Sequence, residues 1–203
     1  MKTYNITQGT QEWFDARKGK MTASHAQEIA TAGKGLDTYC IEIISEKYST
    51  NTERYSNEHT IRGHDLEEQA RDIYSLVTGK EVEQVGFIEL DEYAGCSPDG
   101  MTKTGLVEIK CHSDSVYAKL LITGSIETKY IWQMQMQMYI TGKDYCDYVA
   151  YNPNFKRSLF IQKITREEEK IQKIIEGLAT GRKILSEYDL LFSQKNHEDL
   201  YYS

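Results

Sequence analysis

The sequence predicts a mixed α/β or α+β fold in which a central mixed sheet is flanked by helices, because helix-like and strand-like segments alternate along its 203 residues. The first third has helical periodicity, the middle contains strand-like runs, and the last part is an amphipathic helix. Neither internal repeats nor linkers rich in proline, glycine or serine divide the chain. We therefore expect a single domain over residues 1–203, with N-terminal helices over 10–57, a core over 58–165 and a C-terminal helix over 165–190.

Three short helices are predicted in the first third of the chain. Thr10 is a typical N-cap residue for the first helix, which ends at Gly19. Either Thr22 or Ser24 would cap the second helix. The third covers residues 38–48.

A longer helix is predicted from about residue 58 to 78. Apolar residues recur at spacings of four and three and would form one buried stripe, made of Leu66, Ala70, Ile73 and Val77. Gly79 follows the last of these residues and would end the helix, because glycine readily adopts the left-handed conformation found after helix C-termini.

The rest of the chain alternates between strands and helices. Strand-like runs cover 81–90, 93–97 and 105–111, helices follow at about 113–122 and 128–141, and further strands cover 145–151 and 158–164. The sequence Thr165-Arg166-Glu167-Glu168 has the pattern of a capping box and would start the last helix. The apolar side of that helix is formed by Ile171, Ile174, Ile175, Leu178 and Leu185.

Charge limits the classes of protein to which the chain can belong. Its 24 basic and 31 acidic residues give a net charge of −7. This charge argues against a nucleic-acid coat protein or a helix-turn-helix reader, since such proteins are usually basic. An enzyme with a local basic track and an acidic metal site remains open.

Few features of the sequence indicate secretion, membrane insertion or a cysteine-bound metal cluster. The N-terminus has no apolar signal segment, and the sequence has no run of about 18 apolar residues, so secretion and membrane insertion are not expected. The four cysteines do not form the close pairs or triplets that iron–sulfur clusters use, so we expect reduced thiols at Cys40, Cys96, Cys111 and Cys146.

The strand over 105–111 carries the first candidate for chemistry. Alternate residues of a strand face the same way, so Glu108 and Lys110 share one face while apolar residues take the other. Taken alone, this pair is better explained as a surface ion pair on a half-buried strand. The same Glu-x-Lys pattern also occurs at Glu168-Glu169-Lys170, within the predicted last helix.

A nearby turn changes that interpretation. Asp99 lies in a Pro-Asp-Gly turn, and the next strand returns Glu108 to its side. Two clustered carboxylates repel each other unless a positive charge lies between them. A hard cation such as Mg²⁺ would supply that charge, with the backbone carbonyl of Ile109 as a further oxygen ligand. Lys110 would then orient or deprotonate an attacking water.

These residues resemble the signature of the PD-(D/E)xK nuclease superfamily. More narrowly, the chain resembles the YqaJ-like viral recombinase (phage lambda exonuclease) family, over roughly residues 10–165. Five motifs occur in the family's order, with a family-like YNP tripeptide at 151–153 after them. They are ARKGKMTAS at 16–24, RGHDLEEQARDIYSLVTG at 62–79, CSPDG at 96–100, LVEIKC at 106–111 and YIWQMQMQMYIT at 130–141.

The resemblance implies a restriction-endonuclease-like core and a set of active-site residues. Glu67, Asp99 and Glu108 match the family's metal ligands, for one or two Mg²⁺ or Mn²⁺ ions. Lys110 matches its catalytic lysine. Read without the other motifs, Glu67 is an exposed helix charge paired with Arg71, four residues later.

The resemblance also implies a pocket for a DNA 5′-phosphate. Matching positions are Arg17, Ser24, Ser97 and Gln133, and Tyr130 matches a polar active-site position. The alternatives are a solvated basic helix end for Arg17 and a plain N-cap for Ser24. Gln137 shares a helix face with Tyr130 and Gln133, and we interpret it as structural.

Two positions depart from the family pattern. His112 stands where the family often has proline, and we interpret it as non-catalytic. A member of the family places an apolar wedge just before the long helix, where this chain has Glu58-His59-Thr60-Ile61, with Thr60 at the matching place and Ile61 as a substitute.

The activity implied is a Mg²⁺-dependent 5′-to-3′ exonuclease on double-stranded DNA ends. It would release 5′-mononucleotides and leave 3′ single-stranded tails for recombination by a single-strand annealing protein. The resemblance further implies a ring-shaped homotrimer, and the cytoplasm of a bacterial host if the chain is phage-encoded. Alternatives are a structure-specific or restriction-type endonuclease with the same hairpin, or a non-catalytic module that binds DNA ends.

Overall fold

The computed structural model describes residues 1–49 and 58–194, and the side chains of 58–65 and 194 lie outside that description. Within these residues, eight strands form two four-stranded sheets, and seven α-helices pack around them. The predicted mixed α/β fold is therefore confirmed, with its strands divided between two sheets. None of the described helices is both long and apolar enough to cross a membrane.

The first sheet joins the N-terminus to the middle of the chain. Its strands are β1 (Lys2–Tyr4), β2 (Met21–Thr22), β3 (Phe87–Asp91) and β4 (Ala94–Cys96), in the spatial order β1-β3-β4-β2. Pairing is antiparallel except between β2 and β4. The sequence does not predict β1 and β2, because two or three residues are too few to show an alternating pattern.

The second sheet carries the Glu-x-Lys strand at its centre. Its strands are β5 (Gly100–Met101), β6 (Leu106–Cys111), β7 (Tyr145–Tyr151) and β8 (Leu159–Thr165), in sequential order. The central pair β6 and β7 is parallel and the outer pairs are antiparallel. Strand β5 pairs with Leu106 and Val107, so the later part of β6 extends beyond it towards Asp99.

The helices are close to the predicted ones. They are α1 (Gln11–Arg17), α2 (Ala26–Thr31), α3 (Lys34–Tyr48), α4 (Glu58–Thr78), α5 (Asp114–Thr123), α6 (Thr128–Thr141) and α7 (Glu168–Gln194). The predicted N-cap Thr10 is confirmed, since its hydroxyl accepts from the backbone N–H of Trp13. Helix α3 begins at Lys34, four residues before its predicted start, because Leu36 is buried in the core and extends the apolar face.

Several local predictions are wrong. Neither Thr22 nor Ser24 caps α2, because Thr22 ends a strand and a short 3-10 helix, Ala23–His25, comes next. The strand predicted over 81–90 begins at Phe87, and only a single bridge at Glu83 precedes it.

The start of α7 also differs from the prediction. Thr165 is the last residue of β8, not the cap of the helix. The buried side chain of Gln135, on α6, accepts from the backbone N–H of Glu167 at 2.8 Å and donates to the carbonyl of Thr165 at 2.8 Å. A tertiary contact thus takes the place of the local capping box.

The stripe on α4 is shifted from its predicted position. Ala70 and Tyr74 are fully buried, whereas the predicted Val77 is 66% exposed. The buried residues of α4 pack with Val107 and Ile109 of β6. Because strand side chains alternate, Glu108 faces the opposite side of the sheet, towards α6.

Helix α6 lies between two apolar cores. Met134 and Met138 pack with β7, whereas Met136 and Ile140 pack with α2 and α7. A helix buried on both sides is held firmly in place. Its remaining polar face is directed at Glu108.

Candidate active site

Glu108 is the centre of the site and has no exposed surface. Its Oε1 accepts from Lys110 Nζ at 2.5 Å and from Gln133 Nε2 at 2.6 Å. Its Oε2 accepts from Gln137 Nε2 at 2.7 Å. A buried carboxylate is tolerated only when it is paired and hydrogen-bonded, and these three side chains meet that requirement.

Lys110 lies one strand period after Glu108 and remains partly exposed. Its ammonium is also 5.2 Å from the ring centroid of Tyr130. Burial alone lowers the pKa of Lys110, but the charges of Glu108 and Asp99 outweigh burial, so the net pKa is raised. A protonated lysine donates hydrogen bonds, and this arrangement therefore favours the orienting role over the deprotonating one.

Asp99 is attached to β6 through the main chain. Its Oδ2 accepts from the backbone N–H of Ile109 at 2.6 Å, which brings the Pro-Asp-Gly turn alongside the Glu-x-Lys strand as predicted. Burial raises the pKa of Asp99, the charge of Glu108 raises it further, and Lys110 opposes both. An additional cation between the carboxylates would relieve this repulsion.

Two side chains hold the turn from behind. Arg71 Nε, on α4, donates to the carbonyl of Asp99 at 3.3 Å. Gln8 Nε2 donates to the carbonyls of Pro98 at 2.9 Å and Val85 at 2.7 Å. The turn is thus fixed by both α4 and the N-terminal segment.

Glu67 lies on α4 beside this turn. Together with Glu68, Arg71 and Asp99 it lines a cavity of about 270 Å³. The charge of Glu67 contributes to the raised pKa of Asp99, so the two carboxylates are electrostatic neighbours. Of the four residues predicted as catalytic, the structure therefore places Asp99, Glu108 and Lys110 together on or beside β6, and places Glu67 in the lining of the same cavity as Asp99.

The oxygen atoms at this site suit a hard divalent cation. Carboxylates are the preferred ligands of Mg²⁺ and Mn²⁺. The N–H of Ile109 points away from β7 towards Asp99, and in a strand the carbonyl of the same residue points to the same side. That carbonyl is thus expected on the side of β6 where Asp99 lies, which is the side that a metal ligand shared with Asp99 requires.

The described side chains do not yet form a closed metal cage. Among them, no three His, Cys, Asp or Glu residues lie together at ligating positions. The oxygens of Glu108 are instead taken by Lys110 and two glutamines. The donor set fits a divalent cation, because Oε1 already accepts from two donors whereas Oε2 accepts from Gln137 alone and keeps a further acceptor position.

Arg17 and Ser97 meet next to the turn that carries Asp99. Arg17 Nη1 lies 3.5 Å from Ser97 Oγ, and Ser97 precedes Asp99 by two residues. The indole of Trp13 connects them: its ring centroid is 4.0 Å from the Arg17 guanidinium and its N–H donates to Ser97 Oγ at 2.9 Å. A planar guanidinium held this way can present two N–H groups to a phosphate.

Ser24 is connected to the surroundings of Arg17 through its contact with Thr22. It is exposed, and its hydroxyl lies 3.0 Å from that of Thr22. Thr22, Arg17, His25 and Tyr39 line one further cavity of about 270 Å³. Ser24 therefore lies near the predicted phosphate pocket, next to its lining.

The polar residues predicted on one face of α6 contact two different parts of the site. Gln133 contacts Glu108, not the group around Ser97. Tyr130 lies between Lys110 and His112, whose ring centroid is 6.0 Å away. His112 Nε2 is 2.7 Å from Tyr148 Oη, and burial lowers the pKa of His112.

Sequence reasoning missed three residues of the site. Trp13 precedes Arg17 by four residues on α1. Residues four apart lie on the same face of a helix, so this spacing could have identified Trp13 as a neighbour of Arg17. The spacing of Gln137 places it on the same helix face as Gln133, but a glutamine at this spacing also suits a structural role, and only its contact with Glu108 connects it to the site. Gln8 gave no signal, because its partners lie 77 and 90 residues away. The Ile61 position of the wedge lies outside the described side chains.

The cysteines take no part in a disulfide. Cys40, Cys96 and Cys146 are buried and Cys111 is partly exposed, all as free thiols. Burial raises the pKa of Cys111 to about 12, so this thiol stays protonated near neutrality.

Comparisons with known proteins identify the family and the fold of the chain. A family model described as the YqaJ-like viral recombinase domain matches residues 12–144. An alkaline exonuclease (LHK-Exo) from Laribacter hongkongensis is 34% identical, with 91% of this chain and 97% of that chain covered and a TM-score of 0.81. LHK-Exo in complex with dAMP is similar at 36% identity, with 90% and 96% covered and the same TM-score.

One more distant structure shares the fold. A phage-related exonuclease from Haemophilus somnus 129PT is 19% identical, with 87% of this chain and 96% of that chain covered and a TM-score of 0.65. Among curated proteins, no sequence matches the chain significantly.

Proposed function

The chain belongs to the YqaJ-like viral recombinase family, and from that membership we propose that it is a Mg²⁺-dependent exonuclease of double-stranded DNA ends. It digests the 5′-ended strand, releases 5′-mononucleotides and leaves a 3′ single-stranded tail. The observation that carries this proposal is the cluster that Glu108 and Lys110 of β6 form with Asp99 of the adjacent turn.

Similarity to solved exonucleases supports the reaction class. LHK-Exo, which is named an alkaline exonuclease, matches nearly the whole chain at 34–36% identity. One of its structures contains dAMP, a deoxynucleoside monophosphate of the kind that this reaction would release.

Glu67, Asp99, Glu108 and the carbonyl of Ile109 would hold one or two Mg²⁺ or Mn²⁺ ions. When bound, such ions neutralise the charge that develops on the phosphate and help to activate the attacking water. Lys110 donates a hydrogen bond that orients this water. The contact between Asp99 and the N–H of Ile109 keeps the turn in register with β6.

The direction of digestion follows from the position of the phosphate pocket. Arg17 and Ser97 would bind the terminal 5′-phosphate, with Ser24, Tyr130 and Gln133 completing the DNA contacts. Because Ser97 is two residues from Asp99, a phosphate bound there would place the 5′-ended strand at the carboxylates. The stack of Arg17 on Trp13 supports this role by restricting the guanidinium.

From the resemblance to the family we also propose an oligomeric state, a cellular location and a protein partner. The protein would act as a ring homotrimer in the bacterial cytoplasm and pass its 3′ tail to a single-strand annealing protein. A channel between subunits would give an acidic chain a locally basic path for DNA.

The choice of DNA substrate tests the proposed activity. Linear duplexes with 5′-phosphate or 5′-hydroxyl ends are incubated with Mg²⁺ beside a covalently closed circle. Loss of linear DNA alone, faster from phosphorylated ends, is the expected result. Arg17→Ala should remove the preference for phosphorylated ends.

Three other outcomes contradict parts of the proposal. Cutting of the circle would favour the endonuclease alternative. Equal slowing of both linear substrates by Arg17→Ala would make Arg17 a general duplex contact. Binding to ends without any cleavage would favour an end-binding module.

A further inference from the structure

The two oxygens of the Glu108 carboxylate are held by different side chains. Oε1 accepts from both Lys110 and Gln133. Oε2 accepts from Gln137 Nε2 at 2.7 Å, and Gln137 is its one hydrogen-bond donor within the described part of the chain. The rotation of the carboxylate about its terminal bond therefore depends on Gln137.

Gln137 makes only part of its possible hydrogen bonds. It is fully buried, and its Oε1 has no hydrogen-bond partner among the described residues. Such an orphaned acceptor destabilises a fold relative to an apolar side chain of the same shape. Methionines fill the neighbouring buried positions Met134, Met136 and Met138, so a methionine would suit position 137 as well.

Apolar packing therefore does not explain an amide at position 137, whereas its contact with the buried Glu108 carboxylate does. An ionised carboxylate only accepts hydrogen bonds, so the NH₂ group of Gln137 has to face it. Gln133 cannot replace this contact, because it lies one helical turn earlier and is bound to the other oxygen.

We propose that Gln137 is a positioning residue that fixes the plane of the Glu108 carboxylate and thereby sets the affinity of the site for Mg²⁺ or Mn²⁺. This inference rests on the proposed function, in which Glu108 is a metal ligand. Partners that hydrogen-bond to metal ligands typically alter metal affinity by about 10–100-fold when they are removed.

Calorimetric titration of the full chain with Mn²⁺, in the absence of DNA, tests this role directly. Gln137→Met removes the amide and keeps the length of the side chain. The dissociation constant for Mn²⁺ is expected to rise roughly tenfold or more. Gln137→Asn keeps an amide but withdraws it by one methylene, and should weaken binding even if the methionine variant fails to fold.

Gln135→Met is the matched control, because Gln135 is a fully buried glutamine on the same helix. Its amide joins Thr165 to Glu167. This variant should unfold at a lower temperature and bind Mn²⁺ as the native chain does. Glu108→Gln should lose Mn²⁺ binding.

The possible contrary results are distinguishable. Native affinity for Mn²⁺ in both Gln137 variants would overturn the inference and leave the proposed function standing. Equal weakening by Gln135→Met would also overturn it, because the effect would then belong to α6 in general. Native affinity in Glu108→Gln would contradict the proposed metal site itself, and the inference with it.

Discussion

At the scale of the residue, the cluster of Asp99, Glu108 and Lys110 combines charges that the interior would otherwise disfavour. Glu108 is fully buried, yet three donors from Lys110, Gln133 and Gln137 surround it. Asp99 is held by a main-chain N–H. Rigid partners of this kind keep reacting groups in place and reduce the reorganisation needed during a reaction.

Removal of Lys110 should separate catalysis from metal binding. In Lys110→Ala, cleavage of linear duplex DNA is expected to fall by roughly 10²–10³-fold, the usual cost of removing one hydrogen-bond donor directed at the reacting groups. Binding of Mn²⁺ should persist, because the carboxylates remain. Initial rates and calorimetry measure the two effects.

Lys129→Ala is a suitable control for Lys110→Ala. Lys129 also approaches the ring of Tyr130, at 4.8 Å, but pairs with Glu127 at the surface. It should cause a much smaller loss of activity. Near-native turnover in Lys110→Ala would contradict the role assigned to Lys110.

Asp99 should make stability depend on pH in a specific direction. Burial and the charge of Glu108 raise the pKa of Asp99 above its ordinary value of 3.8. The stability that the protonated group contributes is fully present below the ordinary pKa and is lost as pH rises through the raised pKa. In EDTA, Asp99→Asn should therefore melt at a higher temperature than the native chain at neutral pH.

Thermal unfolding in EDTA across acidic and neutral pH measures this difference. The advantage of Asp99→Asn should shrink in acid, where the native carboxyl is also neutral. For a chain of this size, each kcal/mol corresponds to roughly 2–4 °C. An unfolding temperature below that of the native chain at neutral pH would exclude a destabilising charge at Asp99.

At the scale of the element, the residues proposed to bind the metal lie on short local segments. Contacts with residues distant in the sequence hold those segments in place. Helix α6 separates two cores and directs its glutamines at Glu108. Helix α7 closes the first core, and it approaches α2 closely at Gly177. A Cβ added there would lie 1.9 Å from the carbonyl oxygen of Ile29.

Two glycine substitutions should therefore have opposite effects. Gly177→Ala is expected to destabilise the protein, because backbone atoms cannot move aside without separating α2 from α7. Gly35→Ala, on α3, meets only the Glu28 side chain at 3.6 Å and should stabilise the helix by up to about 1 kcal/mol. Denaturant unfolding compares the two, and equal behaviour would contradict the close packing.

The proximity of Asp99, Glu108 and Lys110 could be predicted from sequence because these residues are near one another along the chain. Asp99 and Glu108 flank one hairpin, so a turn pattern and strand alternation suffice to bring them together. The contacts of Gln8 and Trp13 span more than 70 residues, and no local pattern specifies them. The same reason explains the start of α7, where Gln135 provides the cap from another helix.

At the scale of the whole molecule, the acidic charge of the chain has to be reconciled with DNA binding. The proposed ring would concentrate basic groups in a channel while its outer surface stays acidic. Sedimentation equilibrium should then give a single species of three times the 23.4 kDa chain mass. A monomer at micromolar concentration would contradict the ring and leave the catalytic site unaffected.

Release of nucleotides from a linear duplex with 5′-phosphates and a label in the 5′-ended strand is the measurement to make first. With Mg²⁺, the native chain should release labelled 5′-mononucleotides and leave the complementary strand intact, whereas Asp99→Ala or EDTA should stop the release. Equal release by the native chain and Asp99→Ala would show that the cluster on β6 is not the nuclease site.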